Sequence, residues 1–140
     1  MNDPFYQAVD DLHALFGFAQ GESLSDAALL DFRIRFLEEE VRELREAAEH
    51  CKQSMSVANI SALLREMADV QAVLSGFAVS FGLPMAEAFQ RVCTANRSKL
   101  VDGKPMQTPE GKMLKGPNFK PPVMDDLAAA LLEKMNLAKA

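Results

Sequence analysis

Cysteine is scarce. The 140-residue chain has two, Cys51 and Cys93, with neither metal-ligand spacing nor the density of a disulfide scaffold, which agrees with a reducing compartment and leaves both as packing residues. Long apolar runs are missing too: none approaches the roughly 20 residues that span a bilayer. The first ten residues carry acids and no basic region ahead of an apolar stretch, so neither a membrane anchor nor a secretory leader is expected, and the cytoplasm is the simplest address. The chain also lacks an excess of positive charge. With a net charge of -5, it is a poor non-specific binder of nucleic-acid backbones, which need clustered Lys and Arg. Internal repeats and low-complexity tracts are absent.

What is present is a helical rhythm. Hydrophobic residues make up 49% and charged residues 25%, the balance of an ordinary single globular domain. Asp3-Pro4 signals a helix start, and a first helix is predicted to about Ala19, broken at Gly21. Ser25 is positioned to cap a second helix. Its apolar residues Leu30, Ile34, Leu37, Val41, Leu44 and Ala48 recur at three and four as far as Lys52. Ile60, Leu63, Leu64, Met67, Val70, Val73, Leu74 and Phe77 mark a third helix, stopped by Gly82, and Pro84 opens a fourth that runs towards Leu100. Gly and Pro at 103, 109, 111, 116 and 117 exclude a long regular element over residues 101–122, where an ordered loop or short hairpin is expected. Residues 124–138 return to helix, with Leu127, Leu131 and Leu132 as a narrow stripe.

The acids carry the chemistry. Glu38, Glu39, Glu40 and Glu43 on the second helix read either as a solvated face, supported by pairs such as Glu38 with Arg42, or as ligands at the core boundary. Glu40 and Glu43 are three apart, hence neighbours on one face beside Leu37, Val41 and Leu44. The third helix repeats the spacing with Glu66 and Asp69, set among Leu63, Val70 and Val73. Carboxylates on an apolar stripe are costly unless paired or bound to a metal, and Arg65 lies about 100° away from Glu66 around the helix. Antiparallel packing of the two helices would face the pairs together and offer oxygen-only ligation suited to Mg²⁺, with Mn²⁺ as a substitute. Zinc and iron fit less well, because His13 and His50 lie off these faces and there is no Glu-x-x-His pair.

These residues, Glu39-Glu40-Val41-Arg42-Glu43, then 22 others, then Glu66-Met67-Ala68-Asp69, resemble the MazG-type motif E-E-x-x-E…E-x-x-D. That motif belongs to the all-α nucleoside triphosphate pyrophosphohydrolase superfamily, which includes MazG, dimeric dUTPases, dCTP pyrophosphatases and phosphoribosyl-ATP pyrophosphohydrolase. The segments Ala95-Asn96-Arg97-Ser98-Lys99-Leu100, Asp102-Gly103-Lys104-Pro105 and Gly111-Lys112-Met113-Leu114-Lys115-Gly116-Pro117 are similar to the tail of its dUTPase-related branch. The resemblance implies an all-α, four-to-five-helix bundle of the MazG-like type, assembled as an oligomer. Its catalytic domain would span residues 1–122, basic loop included, and residues 123–140 would form a peripheral or dimer-contacting helix. Glu40, Glu43, Glu66 and Asp69 would hold Mg²⁺, and Glu39 would orient or deprotonate the attacking water. Asn96, Lys99, Lys112 and Lys115 are candidates for phosphate contacts, against the alternative of a solubilising basic loop.

The implied activity is hydrolysis of a (deoxy)nucleoside triphosphate to the monophosphate and pyrophosphate, for sanitation of the nucleotide pool, with dUTP favoured by the tail. Broad-specificity NTP/dNTP hydrolysis and phosphoribosyl-ATP hydrolysis are the alternatives within the class. Outside it stands a non-catalytic helical interaction protein whose acids are paired by Arg35, Arg42 and Arg45. The expected partners are a nucleotide and a second copy in a homodimer, or four copies in a tetramer, with no nucleic acid and no membrane. Phe5, Phe16 and Phe18 read either as a base pocket or, preferentially, as core.

Overall fold

The computed structural model describes residues 2–139. They form five α-helices: α1 (Pro4–Phe16), α2 (Ala27–Gln53), α3 (Val57–Phe81), α4 (Met85–Arg97) and α5 (Asp125–Lys139). The all-α expectation holds, and the caps correct its boundaries. Asp3 accepts from the amides of Phe5 and Tyr6 and starts α1 as anticipated. That helix ends at Phe16 rather than near Ala19, because Gly17 takes a left-handed conformation at φ 71 and its amide returns to the His13 carbonyl. Asp26, not Ser25, caps α2 by accepting from the Leu29 amide at 3.0 Å, while the Ser25 hydroxyl is engaged with that of Ser23. At the far end of the molecule's fourth helix, the chain leaves α4 at Arg97, three residues before Leu100. No helix among the described residues is long and apolar enough to cross a membrane.

The chain divides into two compact units, Asp3–Leu83 and a second beginning at Pro84. In the first, α1 and α2 both pack on α3. A three-residue link makes α2 and α3 an antiparallel hairpin. Ser56 caps α3 through the Asn59 amide, and the Asn59 side chain donates back to the carbonyls of His50 and Ser54. The core gathers on the C-terminal half of α3, where Val73, Ala78, Val79 and Phe81 are buried, with Ala47 and Cys51 contributed by α2. Ser80 is fully enclosed and donates to the Gly76 carbonyl, which answers its polarity. Two backbone bonds, from Gly21 to Val79 and from Glu22 to Ser80, lash the α1–α2 link to the end of α3.

Phe5, Phe16 and Phe18 are each more than half exposed, so the expectation that they form core does not hold. α1 buries His13 instead, and Phe16 and Phe18 lie against one another, with Phe18 edge-on to the His13 ring.

The second unit holds α4, the glycine-rich segment and α5. Val101 and Lys104 exchange both backbone hydrogen bonds across Asp102-Gly103, and both central residues have positive φ (51 and 73), the Asp-Gly hairpin turn. A second narrow turn pairs Gln107 with Met113. The sequence expectation of an ordered loop or short hairpin is met twice in miniature. α5 is tied to α4 by Arg91, which donates to both carboxylate oxygens of Asp126 and to the Val123 carbonyl. Those hydrogen bonds push the Asp126 carboxyl down to about 2.

Because this fork is the polar anchor of α5 in an otherwise exposed helix, Arg91→Ala should raise amide hydrogen exchange across residues 125–139 and leave α2 and α3 protected. Unchanged exchange in α5 would show that its Leu127 and Leu131 stripe suffices.

Candidate metal centre

The α2–α3 hairpin decides where the acids go. Glu40 and Glu43 occupy one face of α2, Glu66 and Asp69 one face of α3, and the antiparallel packing turns the faces together. One carboxylate oxygen from each of Glu40, Glu43 and Glu66 lies within 4.8 Å of the others. Asp69 is exposed and stands outside this converging trio, yet its charge reaches Glu40. Glu39 is also exposed and is not part of the trio.

Three like charges held this close need an explanation. Glu40 Oε2 and Glu66 Oε2 are buried and have no hydrogen-bond partner. Arg65, expected about 100° away from Glu66 around the helix, still reaches Glu66 Oε1, but only at 3.8 Å and from a largely exposed position. Arg42 pairs with Glu46 at 3.4 Å, and Arg35 donates to the Asp31 carbonyl. Two of the three arginines that an interaction scaffold would need, Arg35 and Arg42, are therefore turned elsewhere, and Arg45 makes no salt bridge among the described residues. Burial, followed by the charges of Glu43, Asp69 and Glu66, pushes the Glu40 carboxyl above its ordinary range.

Orphaned carboxylate oxygens converging from two helices fit a hard divalent cation, which takes oxygen ligands and tolerates retained water. Histidine contributes nothing here. His13 is buried with Nδ1 hydrogen-bonded to the Ala19 carbonyl at 2.8 Å, and His50 is exposed.

Asn96, Lys99, Lys112 and Lys115 belong to the second unit. Lys99 and Lys115 converge there: their ammonium groups lie 5.9 and 5.1 Å from the centroid of the Phe119 ring, an aromatic that the sequence reading did not single out. Such cation–π placement orders two flexible side chains without neutralising them. Gly116 makes the arrangement possible, since a Cβ there would stand 2.5 Å from Val101 Cγ2 and 2.9 Å from the Lys99 carbonyl oxygen. Asn96 and Lys112 are exposed and do not join the Phe119 pair; Lys112 closes the narrow turn with Thr108 instead.

The all-α fold and the acidic trio on facing helices agree with a pyrophosphohydrolase, a class that works with divalent metal. Residues 9–96, which include all of α2 and α3, match the phosphoribosyl-ATP pyrophosphohydrolase family, and the chain belongs to that family. It is thus a hydrolase acting on phosphoanhydride bonds. No curated protein matches the chain.

The electrostatics give a pH dependence. Folded Glu40 holds its proton more tightly than unfolded Glu40, so the native state must surrender that proton as pH rises from about 4.3, the ordinary glutamate value, through the raised one. Metal-free stability should therefore fall across that window and then level. Glu40→Gln should flatten the decline and raise the metal-free Tm above it. Thermal unfolding with chelator across pH measures both, and a flat wild-type profile would remove the crowding argument. Separately, Gly116→Ala should destabilise the second unit by about 1–3 kcal/mol, read by denaturant unfolding.

Proposed function

We propose that the protein is a Mg²⁺-dependent nucleoside triphosphate pyrophosphohydrolase that releases pyrophosphate and a nucleoside monophosphate, with dUTP the favoured substrate. The observation that carries this reading is the converging trio with its two unpartnered buried oxygens, Glu40 Oε2 and Glu66 Oε2. Glu40, Glu43 and Glu66 would hold the metal, with Asp69 completing the set from its exposed position across the hairpin. A divalent ion bound by these carboxylates would neutralise charge on the triphosphate and acidify water. Glu39, exposed beside the cluster in sequence, takes the role of the base. It accepts a proton as water attacks phosphorus, the α–β phosphoanhydride breaks, and pyrophosphate leaves with the electron pair of the broken bond.

Lys99 and Lys115, gathered at Phe119, are proposed as phosphate contacts together with Asn96 and Lys112. Assembly as a homodimer, or a tetramer, is supported by α3. Val57, Ile60, Leu64, Met67 and Leu74 are all exposed there at helical spacing, an apolar stripe that a second copy would cover. Residues 1–122 are proposed as the catalytic domain, α5 as a peripheral or partner-contacting helix, and the cytoplasm as the working compartment.

A second substrate reading, phosphoribosyl-ATP, is favoured by the family match over residues 9–96. The dUTP preference rests instead on the likeness of residues 95–117 to the dUTPase-related tail, most of which lies beyond the matched span.

Pyrophosphate release from a panel of dUTP, other NTPs and dNTPs and phosphoribosyl-ATP, with Mg²⁺, Mn²⁺ or chelator, decides among these. Turnover should need the metal and be fastest with dUTP; fastest turnover of phosphoribosyl-ATP would give that reading precedence. Glu39→Gln should lower kcat by about 10²–10⁴-fold, and Glu66→Ala should abolish turnover with the circular dichroism spectrum retained. Metal-independent release, or full activity in Glu66→Ala, would refute the mechanism.

A further inference from the structure

Arg33 stands seven residues before Glu40 on α2. Seven residues return a helix to the same stripe, about 20° off and roughly 10 Å along its axis. α3 mirrors this, with Gly76 seven residues beyond Asp69. Arg33 Nη1 lies 3.2 Å from the point where a Cβ on Gly76 would stand. The hairpin therefore sets Arg33 level with Gly76, then Phe36 with Val73, then Glu40 with Asp69, then Glu43 with Glu66. One register governs both the guanidinium and the acids.

That guanidinium is almost completely enclosed. Arg33 is 5% exposed, its Nε has no hydrogen-bond partner, and no acid among the described residues comes within salt-bridge reach of it. Its neighbour at the same level is His13, whose Nε2 is also 3.2 Å from the Gly76 position. His13 adds no negative charge, and its Nδ1 is committed to the Ala19 carbonyl. The ring of Phe32, 5.4 Å from Arg33 Cζ, offers a partial cation–π contact. The C-terminal turns of α1 and α3 add a short-range negative potential. None of these is a counter-ion. Arginine stays charged in proteins, and an unpaired buried charge is strongly unfavourable.

Unbalanced negative charge lies two turns along the same seam, on Glu40, Glu43, Glu66 and Asp69. Val73 is buried between the two levels, but the acids themselves are half-buried or exposed, so the interaction is a long-range one that salt can screen.

We propose that Arg33 is the charge-balancing residue of the metal site, a positioning residue whose fixed positive charge offsets the carboxylate cluster and weakens its affinity for divalent ions. The inference rests on the metal reading of the acidic trio. It assigns Arg33 no contact with substrate. It also accounts for a buried arginine that the fold does not otherwise pair.

The test is Mn²⁺ binding to the intact chain by calorimetry, with no nucleotide present, at low and high salt. Arg33→Met removes the charge while keeping much of the length, and should bind Mn²⁺ on the order of five- to tenfold more tightly than wild type at low salt. The gap should narrow in high salt. Arg33→Lys should stay near wild type. If Arg33→Met does not fold, Arg33→Gln carries the same expectation. Equal or weaker Mn²⁺ binding in the folded neutral variant would mean that Arg33 only packs the seam, and would overturn the proposal. Unchanged Mn²⁺ binding with weakened pyrophosphate binding would overturn it in favour of a direct phosphate contact. Wild-type protein that binds no Mn²⁺ would overturn the metal reading itself, an outcome distinct from a wild type that binds and a variant that binds alike.

Discussion

The antiparallel α2–α3 hairpin holds like charges where water alone would drive them apart. Glu40 and Glu43 are fixed to one helix, Glu66 to the other, and the register that packs Val73, Ala47 and Cys51 into the core brings the three carboxylates within 4.8 Å. Apolar burial thus supplies the free energy that offsets electrostatic crowding. A slip of one helical turn would part the acids and expose the core residues together, so stability of the hairpin and geometry of the site rise and fall as one property.

The polar groups along this seam divide by how they are answered. Ser80 gives its proton to the Gly76 carbonyl, and His13 is satisfied by Ala19. Glu40 Oε2, Glu66 Oε2 and Arg33 Nε remain without partners. In a native interior nearly every buried polar atom is paired, and these three, found among the described residues, lie on the facing helices α2 and α3 with opposite charge. The acidic end suits a divalent ion, in keeping with a pyrophosphohydrolase of the phosphoribosyl-ATP family. The basic end is buried, with His13 of α1 against the same Gly76 position.

The second unit solves a different problem, that of ordering a segment too rich in glycine and proline for regular structure. Asp102-Gly103 closes one turn through left-handed backbone, Thr108 and Lys112 close another, and Gly116 allows a close approach to the Lys99 carbonyl. The result is that Lys99 and Lys115, sixteen residues apart in the chain, meet over one aromatic ring.

Local sequence determined the helices, since three-and-four spacing, Asp3, Pro4 and Gly82 act within a turn or two of themselves, and it determined the paired acids, since residues three apart on a helix must share a face. Boundaries were less legible: Gly17 ended α1 before Gly21 could, and Asp26 outcompeted Ser25 as a cap, because neighbouring residues with the same capacity are separated only by backbone geometry. Burial was legible only in part: Val73 of the expected α3 stripe is buried, and Glu40, Glu43 and Glu66 sit at the core boundary. Three phenylalanines expected in the core lie exposed, whereas Arg33 and His13 lie inside. Which face of α1 turns inward, which three of the acids converge, and that Phe119 receives two lysines are decided by long-range packing. Such contacts join residues far apart in the chain, and no spacing within one helix specifies them.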